Sequence, residues 1–302
     1  MLDKATVLTT IFTITDEVMK ASPVVQAVLR RPGRAPQLAD SEIVTLALYQ
    51  ELIGEPREDH FFRLHGDQLR LFFPRLNERS RYNRRKRDLW SVILAIRCGV
   101  LVMLHAADHD TAVVDSAPVP VAGYKRDKTS SNFVGTAGYG ICSSKAMKYF
   151  GVKLHNLVTL TGIILDFVLT SASPYDNQAV MELFEAQKGT LREVVGDKAY
   201  NDQALQDTVK QELGITLWAP RKNNQEPVGT KEHRKVRHRA RLMIETVNAQ
   251  LQEQLHLSKH YAKSTWGLFT RVAAKVTAHT MGMLVNQLLG RPLLALAGWE
   301  FN

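Results

Sequence analysis

Three carboxylates, set far apart in the chain, are its strongest candidates for a catalytic site. Asp115 ends the apolar run Thr-Ala-Val-Val-Asp, and Asp197 ends the run Glu-Val-Val-Gly-Asp. Glu245 lies inside the helical pattern Arg-Leu-Met-Ile-Glu-Thr-Val-Asn. Because Mg²⁺ and Mn²⁺ prefer oxygen ligands, acids at two strand ends and on one helix could together bind such ions. Two ions held this way could carry out phosphodiester displacement, with the three acids as catalytic residues.

Each acid also has a plainer interpretation. An Asp that follows an apolar strand is a common turn residue. Arg241 and Glu245 have the i,i+4 spacing of an ordinary surface ion pair. Clustered carboxylates also raise one another's pKa unless a countercharge is present. The prediction of a divalent-metal site therefore depends on Asp115, Asp197 and Glu245 as a set.

Positive charge is concentrated in two tracts of this 302-residue chain, whose formal net charge is +9. Six of the nine residues from Arg79 to Arg87 are Arg or Lys, and eight more basic residues lie between Arg221 and Arg241. Such clusters are typical of nucleic-acid binding, although a solvated basic face is the alternative for either tract. The predicted DNA contacts are Arg79, Arg81, Arg84, Arg85, Lys86, Arg87, Lys125, Arg126 and Arg241.

The elements that must position these residues fall into two regions. Residues 1–108 read as helical and predict a helical DNA-binding domain, although a plain helical packing domain is equally consistent with the pattern. Residues 109–302 predict a catalytic α/β domain with C-terminal helices, in which a mixed five-stranded sheet is flanked by helices. The predicted strands are Thr111–Asp115, Lys148–Val158, Gly162–Thr170, Leu191–Val195 and Ile215–Ala219.

The order of these elements brings the acids together. We expect Pro118 and Pro120 to end the first strand, and the Gly- and Ser-rich residues 122–146 to form a long loop. The first three strands predict an antiparallel meander, and the later two are reached through helices. The first strand then lies beside the fourth, so that Asp115 and Asp197 emerge side by side. The helix that carries Glu245 would pack across them.

Cysteine content and hydropathy indicate the class of protein. Cys98 and Cys142 lie in separate segments without metal-ligand spacing, which fits a reducing compartment and no structural zinc. No signal peptide is evident, and no segment offers about 20 uninterrupted apolar residues. We therefore expect an intracellular, soluble protein that does not contact a membrane.

Four motifs, taken in order, resemble those of bacterial insertion-sequence transposases of the DDE group, which have an RNase H-like catalytic core. The resemblance covers residues 110–290. It implies that Asp115 and Asp197 are the two catalytic aspartates, that Glu245 is the catalytic glutamate, and that Arg241 is the arginine four residues before it. The motifs are Val-Val-Asp-Ser-Ala-Pro-Val-Pro-Val, Tyr-Phe-Gly-Val-Lys-Leu-His, Val-Val-Gly-Asp-Lys-Ala-Tyr and Arg-Leu-Met-Ile-Glu-Thr-Val-Asn.

One large branch of the group has a Tyr three residues before the arginine and a Lys seven residues after the glutamate. This chain has His238 and Gln252 at those positions, so it belongs to another branch or replaces these contacts.

The resemblance implies a metal-dependent DNA endonuclease and strand transferase. Such an enzyme cleaves at the ends of its mobile element with Mg²⁺ or Mn²⁺ and joins the freed 3′-hydroxyl to target DNA. Its partners would be the double-stranded terminal inverted repeats, the target DNA and a second copy of the chain, since two ends must be joined. We expect it in the bacterial cytoplasm, associated with the nucleoid. The alternatives are a decayed or recruited copy that only binds DNA, and a nuclease of the same fold that does not transpose.

Overall fold

The computed structural model describes residues 3–30, 33, 36–76, 78–124, 132–142, 146–173, 179–220 and 231–297, with only the backbone of 231–234. The chain forms two compact units. The helical unit comprises residues 1–104 and 250–302, and the sheet unit comprises residues 105–249. No described helix is long and apolar enough to cross a membrane.

The first part of the helical unit is helical, as predicted. The residues from Lys4 to Leu29 form two helices, because Ser22 caps a new helix whose first residue is Pro23. At the start of the first helix, Asp3 accepts a hydrogen bond from the backbone N–H of Thr6 at 2.9 Å. The six helices are α1 (Lys4–Ala21), α2 (Pro23–Leu29), α3 (Asp40–Leu52), α4 (Glu58–Phe72), α5 (Arg79–Asp88) and α6 (Trp90–Met103).

The C-terminal residues belong to the helical unit, whereas the sequence analysis assigned them to the catalytic domain. Their long helix, Thr265–Leu288, packs against α3 and α6 and is buried over most of its length. A helix that is apolar on all sides needs partners on all sides, and the neighbouring helices supply them. Lys275 of this helix is fully buried, and its Nζ lies 2.5 Å from the Glu51 carboxylate of α3. This pairing of distant segments has no local sequence signal.

The sheet unit is organised around its first strand, β1. This strand pairs antiparallel with β3 on one side and parallel with β5 on the other. β6 extends the parallel edge, and β2 and β4 both pair with β3. The adjacency of the first strand and the fourth predicted strand is therefore confirmed. The strands are β1 (Thr111–Gly123), β2 (Gly138–Cys142), β3 (Met147–Thr159), β4 (Ile164–Ser171), β5 (Glu193–Val195) and β6 (Thr216–Trp218).

β1 is much longer than predicted, so that Asp115 lies within the strand and not at its end. The pairing of β1 with β5 stops at Val113, and beyond this residue the described pairing of the strand is with β3. Alternate residues of a strand direct their N–H groups to opposite sides, so Pro118 and Pro120 both lack a donor on the same side. Prolines are tolerated in a strand where no neighbouring strand needs their donors, and β5 does not reach these two. The prediction that the prolines end the strand was therefore wrong.

The Gly- and Ser-rich region 122–146, predicted as one long loop, contains β2. Residues Gly138–Cys142 pair with Met147–Gly151 of β3, which gives the sheet six strands and not five. Close approach explains the glycine content, since a Cβ at Gly140 would lie 2.8 Å from the Ala172 side chain. Small residues are common in loops, but here they permit packing on the sheet.

The helices of the sheet unit complete the layer that positions the acids. The long one, α9, packs against β1 and β3. Its residues Ala240, Ile244 and Val247 are all buried and form the apolar side of the helix. The helices of the described C-terminal half are α7 (Val180–Glu185), α8 (Gln203–Leu213), α9 (Lys231–Ala249) and α10 (Thr265–Leu288).

Candidate active site

Asp115 lies two residues beyond the part of β1 that pairs with β5. Residues two apart in a strand share a face, so Asp115 follows Val113 on the same side of the sheet. Opposite it on β3 is Asn156, which is fully buried. The Asp115 Oδ2 atom accepts a hydrogen bond from the Nδ2 of Asn248, at 3.0 Å. Since Asn248 belongs to α9, the carboxylate of Asp115 faces the helix that carries Glu245.

Asn248 links three elements through one amide. A carboxylate accepts hydrogen bonds only, so the Asn248 Nδ2 must donate to Asp115 and the Asn248 Oδ1 is left as an acceptor. That oxygen accepts from the Nδ2 of Asn156 at 3.0 Å. The hydrogen bonds therefore run in one direction, from Asn156 to Asn248 and from Asn248 to Asp115. The sequence analysis did not assign this role, although Asn248 lies three residues after Glu245 on the same helical face.

Asp197 follows the short strand β5 through Gly196. A Cβ at Gly196 would lie 2.9 Å from the Tyr200 side chain, so glycine allows this buried tyrosine to pack under the turn. Asp197 is exposed, and its Oδ1 accepts a hydrogen bond from the backbone N–H of Ala199 at 2.8 Å. The plain interpretation of Asp197 as a turn residue is thus correct locally. It does not conflict with a second role for the carboxylate.

Asp115 and Asp197 occupy equivalent positions on neighbouring parallel strands. Val113 pairs with Val195, and each acid lies two residues beyond its valine. The backbone of Asp197 is still extended, with φ −80° and ψ −172°. Neighbouring strands are about 5 Å apart, which places both aspartates at one edge of the sheet and on one face.

Glu245 is paired with Arg241 on the exposed side of α9. The Arg241 Nε donates to the Glu245 Oε1 at 2.8 Å, and the two side chains are 78% and 54% exposed. The hydrogen bond and charge of Glu245 raise the pKa of Arg241 above its ordinary value, and the charges of Asp197 and Asp115 add to the effect. The guanidinium therefore lies within electrostatic reach of all three predicted acids.

The three acids do not form a preassembled metal cluster. Among the described residues, no three His, Cys, Asp or Glu side chains are placed to share one ion. Like charges repel, and here Glu245 is turned toward Arg241. The donor set nevertheless fits a hard divalent cation, since it consists of carboxylate oxygens alone. Binding at all three acids would require Glu245 to leave its arginine.

The basic tract of α5 divides into arginines that are available to DNA and residues that hold the fold. Arg85 makes two hydrogen bonds of 2.7 Å to Asp40, and Lys86 is buried against Glu58. These two predicted DNA contacts are instead intramolecular ion pairs. The remaining predicted contacts of the tract are Arg79, Arg81 and Arg84, which are exposed, and Arg87, which is half-buried. The predicted contacts Lys125 and Arg126 lie outside the described residues.

Comparison with known proteins gives the family. The model of the transposase DDE domain matches residues 105–265, more than half of the chain, and this match includes Asp115, Asp197 and Glu245. Among solved structures, the chain is similar to a piggyBac transposase seen by cryo-electron microscopy in a synaptic complex with hairpin DNA. That similarity has 13% identity and a TM-score of 0.39, and it covers 97% of this chain and 83% of the other. No curated protein matches the chain in sequence. The chain belongs to the family of transposases that carry a DDE domain.

Proposed function

We propose that this transposase cleaves DNA at the ends of its mobile element and joins the freed 3′-hydroxyl to target DNA, with Asp115, Asp197 and Glu245 as its catalytic carboxylates. The observation that supports this assignment is geometric: Asn248 of α9, three residues after Glu245, donates to Asp115 at 3.0 Å, and the pairing of Val113 with Val195 sets Asp197 beside Asp115. Acids contributed by β1, by the end of β5 and by α9 would not share one cation unless the fold brought them to one place.

The implied cofactor is Mg²⁺ or Mn²⁺, and we propose two ions held by Asp115, Asp197 and Glu245. When bound, such ions activate a nucleophilic oxygen and stabilise the leaving oxygen of the phosphodiester. The chain's own residues would orient the carboxylates. Asn248 fixes Asp115 and the turn after Gly196 fixes Asp197, whereas Glu245 must leave Arg241 to join them.

Arg241 has a second role in this proposal. Once Glu245 turns toward a cation, the guanidinium loses its hydrogen-bond partner and stays on the exposed face of α9. Guanidinium groups bind phosphate oxygens through paired hydrogen bonds. We infer that Arg241 then contacts a phosphate of the DNA, so that ion binding and substrate binding favour the same arrangement.

The proposed partners are double-stranded DNA and a second copy of the chain. The exposed arginines Arg79, Arg81 and Arg84 of α5, together with Lys125 and Arg126, would contact the terminal inverted repeats. Joining two ends requires at least a homodimer on DNA. The proposed location is the bacterial cytoplasm, at the nucleoid.

Purified protein mixed with DNA that carries the element's own ends tests this function. We expect strand cleavage and strand transfer with Mg²⁺ or Mn²⁺, and none when the divalent ion is chelated. Binding without cleavage under every condition would instead identify a copy that only binds DNA. Cleavage without joining, and without preference for the element's ends, would identify a nuclease.

Asn248 gives a prediction that separates positioning from folding. Asn248→Ala removes the hydrogen bond to Asp115, so that the carboxylate loses its fixed orientation. Loss of such supporting contacts typically costs about 10- to 100-fold in metal affinity or activity. We expect a loss of that size in cleavage rate, with a higher Mg²⁺ concentration at half-maximal activity.

Thr246→Ala is the matched control for Asn248→Ala. Thr246 is exposed on the same helix, and its hydroxyl donates to the carbonyl oxygen of Leu242. This variant should keep the parent's Mg²⁺ dependence. If Asn248→Ala also keeps it while remaining folded, Asn248 does not position Asp115 for ion binding.

A further inference from the structure

A basic cavity lies within the helical unit. It has a volume of about 540 Å³ and is bounded by the start of α4, one face of α5 and residues 261–271. Two acids line it, Glu58 and Asp59. Six basic side chains surround these acids: Arg57, Arg79, Lys86, Arg87, Lys263 and Arg271.

Both acids are already neutralised by cavity residues. Glu58 is 4% exposed and accepts hydrogen bonds from Lys86, from Asn83 and, at 3.3 Å, from Arg271. Burial would raise the pKa of Glu58, but the charges of Lys86 and Arg271 outweigh it and lower the pKa below its ordinary value. Asp59 lies 2.6 Å from Arg57. The cavity therefore keeps an excess of positive charge at neutral pH.

Arg79 and Arg87 supply charge that the protein itself does not use. They lie eight residues apart on α5, with Asn83 between them, and all three line the cavity. No acid in the described part of the chain pairs with either arginine. The Arg87 Nε is buried and has no hydrogen-bond partner among the described residues. A buried donor without an acceptor is costly, so this atom indicates an acceptor that comes from outside.

The start of α10 forms another wall of the cavity. Ser264 caps this 24-residue helix by accepting from the backbone N–H of Gly267 at 3.2 Å, and both residues line the cavity. The N-terminal end of a long helix carries partial positive charge that attracts anions. The partial positive charge at this end of α10 adds to the charge of the arginines.

We propose that this cavity binds a phosphate group of the DNA backbone, held by Arg79 and Arg87. Guanidinium groups bind phosphate oxygens through paired hydrogen bonds, which suits an arginine-lined cavity better than a flat basic face. The assignment rests on the proposed function, which supplies DNA as the substrate. It also gives the arginines of α5 different roles, because Arg81 and Arg84 do not line the cavity.

The test compares two double variants of the helical unit that remove equal charge. R79A/R87A changes the cavity, and R63A/R70A removes two exposed arginines of α4 that lie outside the cavity and have no proposed DNA contact. Affinity for duplex DNA with the element's ends is measured by fluorescence anisotropy, with EDTA and at several salt concentrations. We expect R79A/R87A to bind about 10- to 100-fold more weakly, with a salt slope reduced by about 2, and R63A/R70A to change affinity less than about threefold.

Further measurements make each outcome decisive. The thermal midpoints of both variants show whether they fold, and R79K/R87K keeps the charge but removes the planar donors, so it should recover only part of the affinity. Equal weakening by the two Ala variants, or none by R79A/R87A, overturns the proposal. A third result also overturns the proposal: inorganic phosphate stabilises the parent, but R79A/R87A binds DNA as the parent does. That result would identify the cavity as a site for free phosphate.

The cavity and the proposed function can fail separately. DNA binding is measured without divalent ions, and cleavage is measured independently on the parent. A parent that never cleaves, with binding that still depends on Arg79 and Arg87, contradicts the function and supports the cavity. A parent that cleaves, while R79A/R87A binds DNA as the parent does, supports the proposed function and contradicts the role of the cavity.

Discussion

Replacing Asp115 or Asp197 by asparagine is expected to reduce strand cleavage and strand transfer by at least about 10³-fold. Asparagine keeps the shape of the side chain but removes the charge that binds the cation, and a bound cation contributes several kcal/mol to phosphoryl chemistry. Asn248 can still donate to the amide oxygen at position 115, so the fold should persist. DNA affinity without metal should stay within about twofold of the parent, because neither aspartate carries a DNA contact in the proposal.

Asp207→Asn provides the control. This aspartate is exposed on α8 of the same sheet unit and bonds to Gln203, one turn earlier. The same chemical change there should leave cleavage unaltered. The assignment of the site would be wrong if Asp115→Asn or Asp197→Asn protein cleaved as fast as the parent. The comparison is made under conditions where Asp207→Asn is also active.

Lys275→Met is expected to lower the free energy of unfolding of the helical unit by about 3–5 kcal/mol. Lys275 and Glu51 are 0% and 2% exposed, and Lys275 also donates to the carbonyl oxygen of Leu255. Burial lowers the pKa of Lys275, whereas its hydrogen bond to Glu51 and the charge of that carboxylate oppose this change. Removing the ammonium leaves Glu51 charged and buried without its partner.

The double variant Glu51→Met/Lys275→Met tests the cause of that loss. Replacing both members of a buried pair by apolar residues is often neutral, so this variant should recover most of the stability. Lys20→Met is the surface control, since Lys20 is 73% exposed beside Asp16 and such pairs contribute at most about 1 kcal/mol. Urea unfolding followed by the fluorescence of Trp90 and Trp266 gives the values. A loss below about 1 kcal/mol in Lys275→Met would mean that this pair does not hold α10 to α3.

The sequence was sufficient for those parts of the fold that local patterns encode. The apolar runs after residue 110 predicted five of the six strands, and their order placed Asp115 beside Asp197. The helical pattern around Glu245 predicted α9. These features depend on alternation of apolar and polar residues and on the length of the connections, which are both local properties.

Other features depend on neighbours that are distant in the chain. β1 continues through Pro118 because β5 is too short to need those donors, and no pattern in β1 indicates the length of β5. The sequence predicts that Arg85 and Lys86 contact DNA, because it does not indicate that Asp40 and Glu58 lie beside them in the fold. In the same way, α10 joined the helical unit because its partners are buried faces of α3 and α6.

In the candidate site, the residue types were predictable but their partners were not. Three separate acids with a nearby arginine are visible in the sequence, and the structure places Arg241 within electrostatic reach of all three. The support from Asn156 and Asn248 is invisible without the register of β1 against β3. An asparagine on the same helical face as Glu245 was the one available signal.

The most direct test of the account is a cleavage and strand-transfer assay of Glu245→Gln, compared with the parent, on DNA that carries the element's ends. Glu245 is the acid that must leave Arg241 before all three carboxylates can bind a cation. We expect the parent to cleave and join only with Mg²⁺ or Mn²⁺, and folded Glu245→Gln to bind the same DNA but to do neither. Glu245→Gln that cleaves and joins as the parent does would contradict the catalytic role of Glu245, and would leave this residue as the surface partner of Arg241.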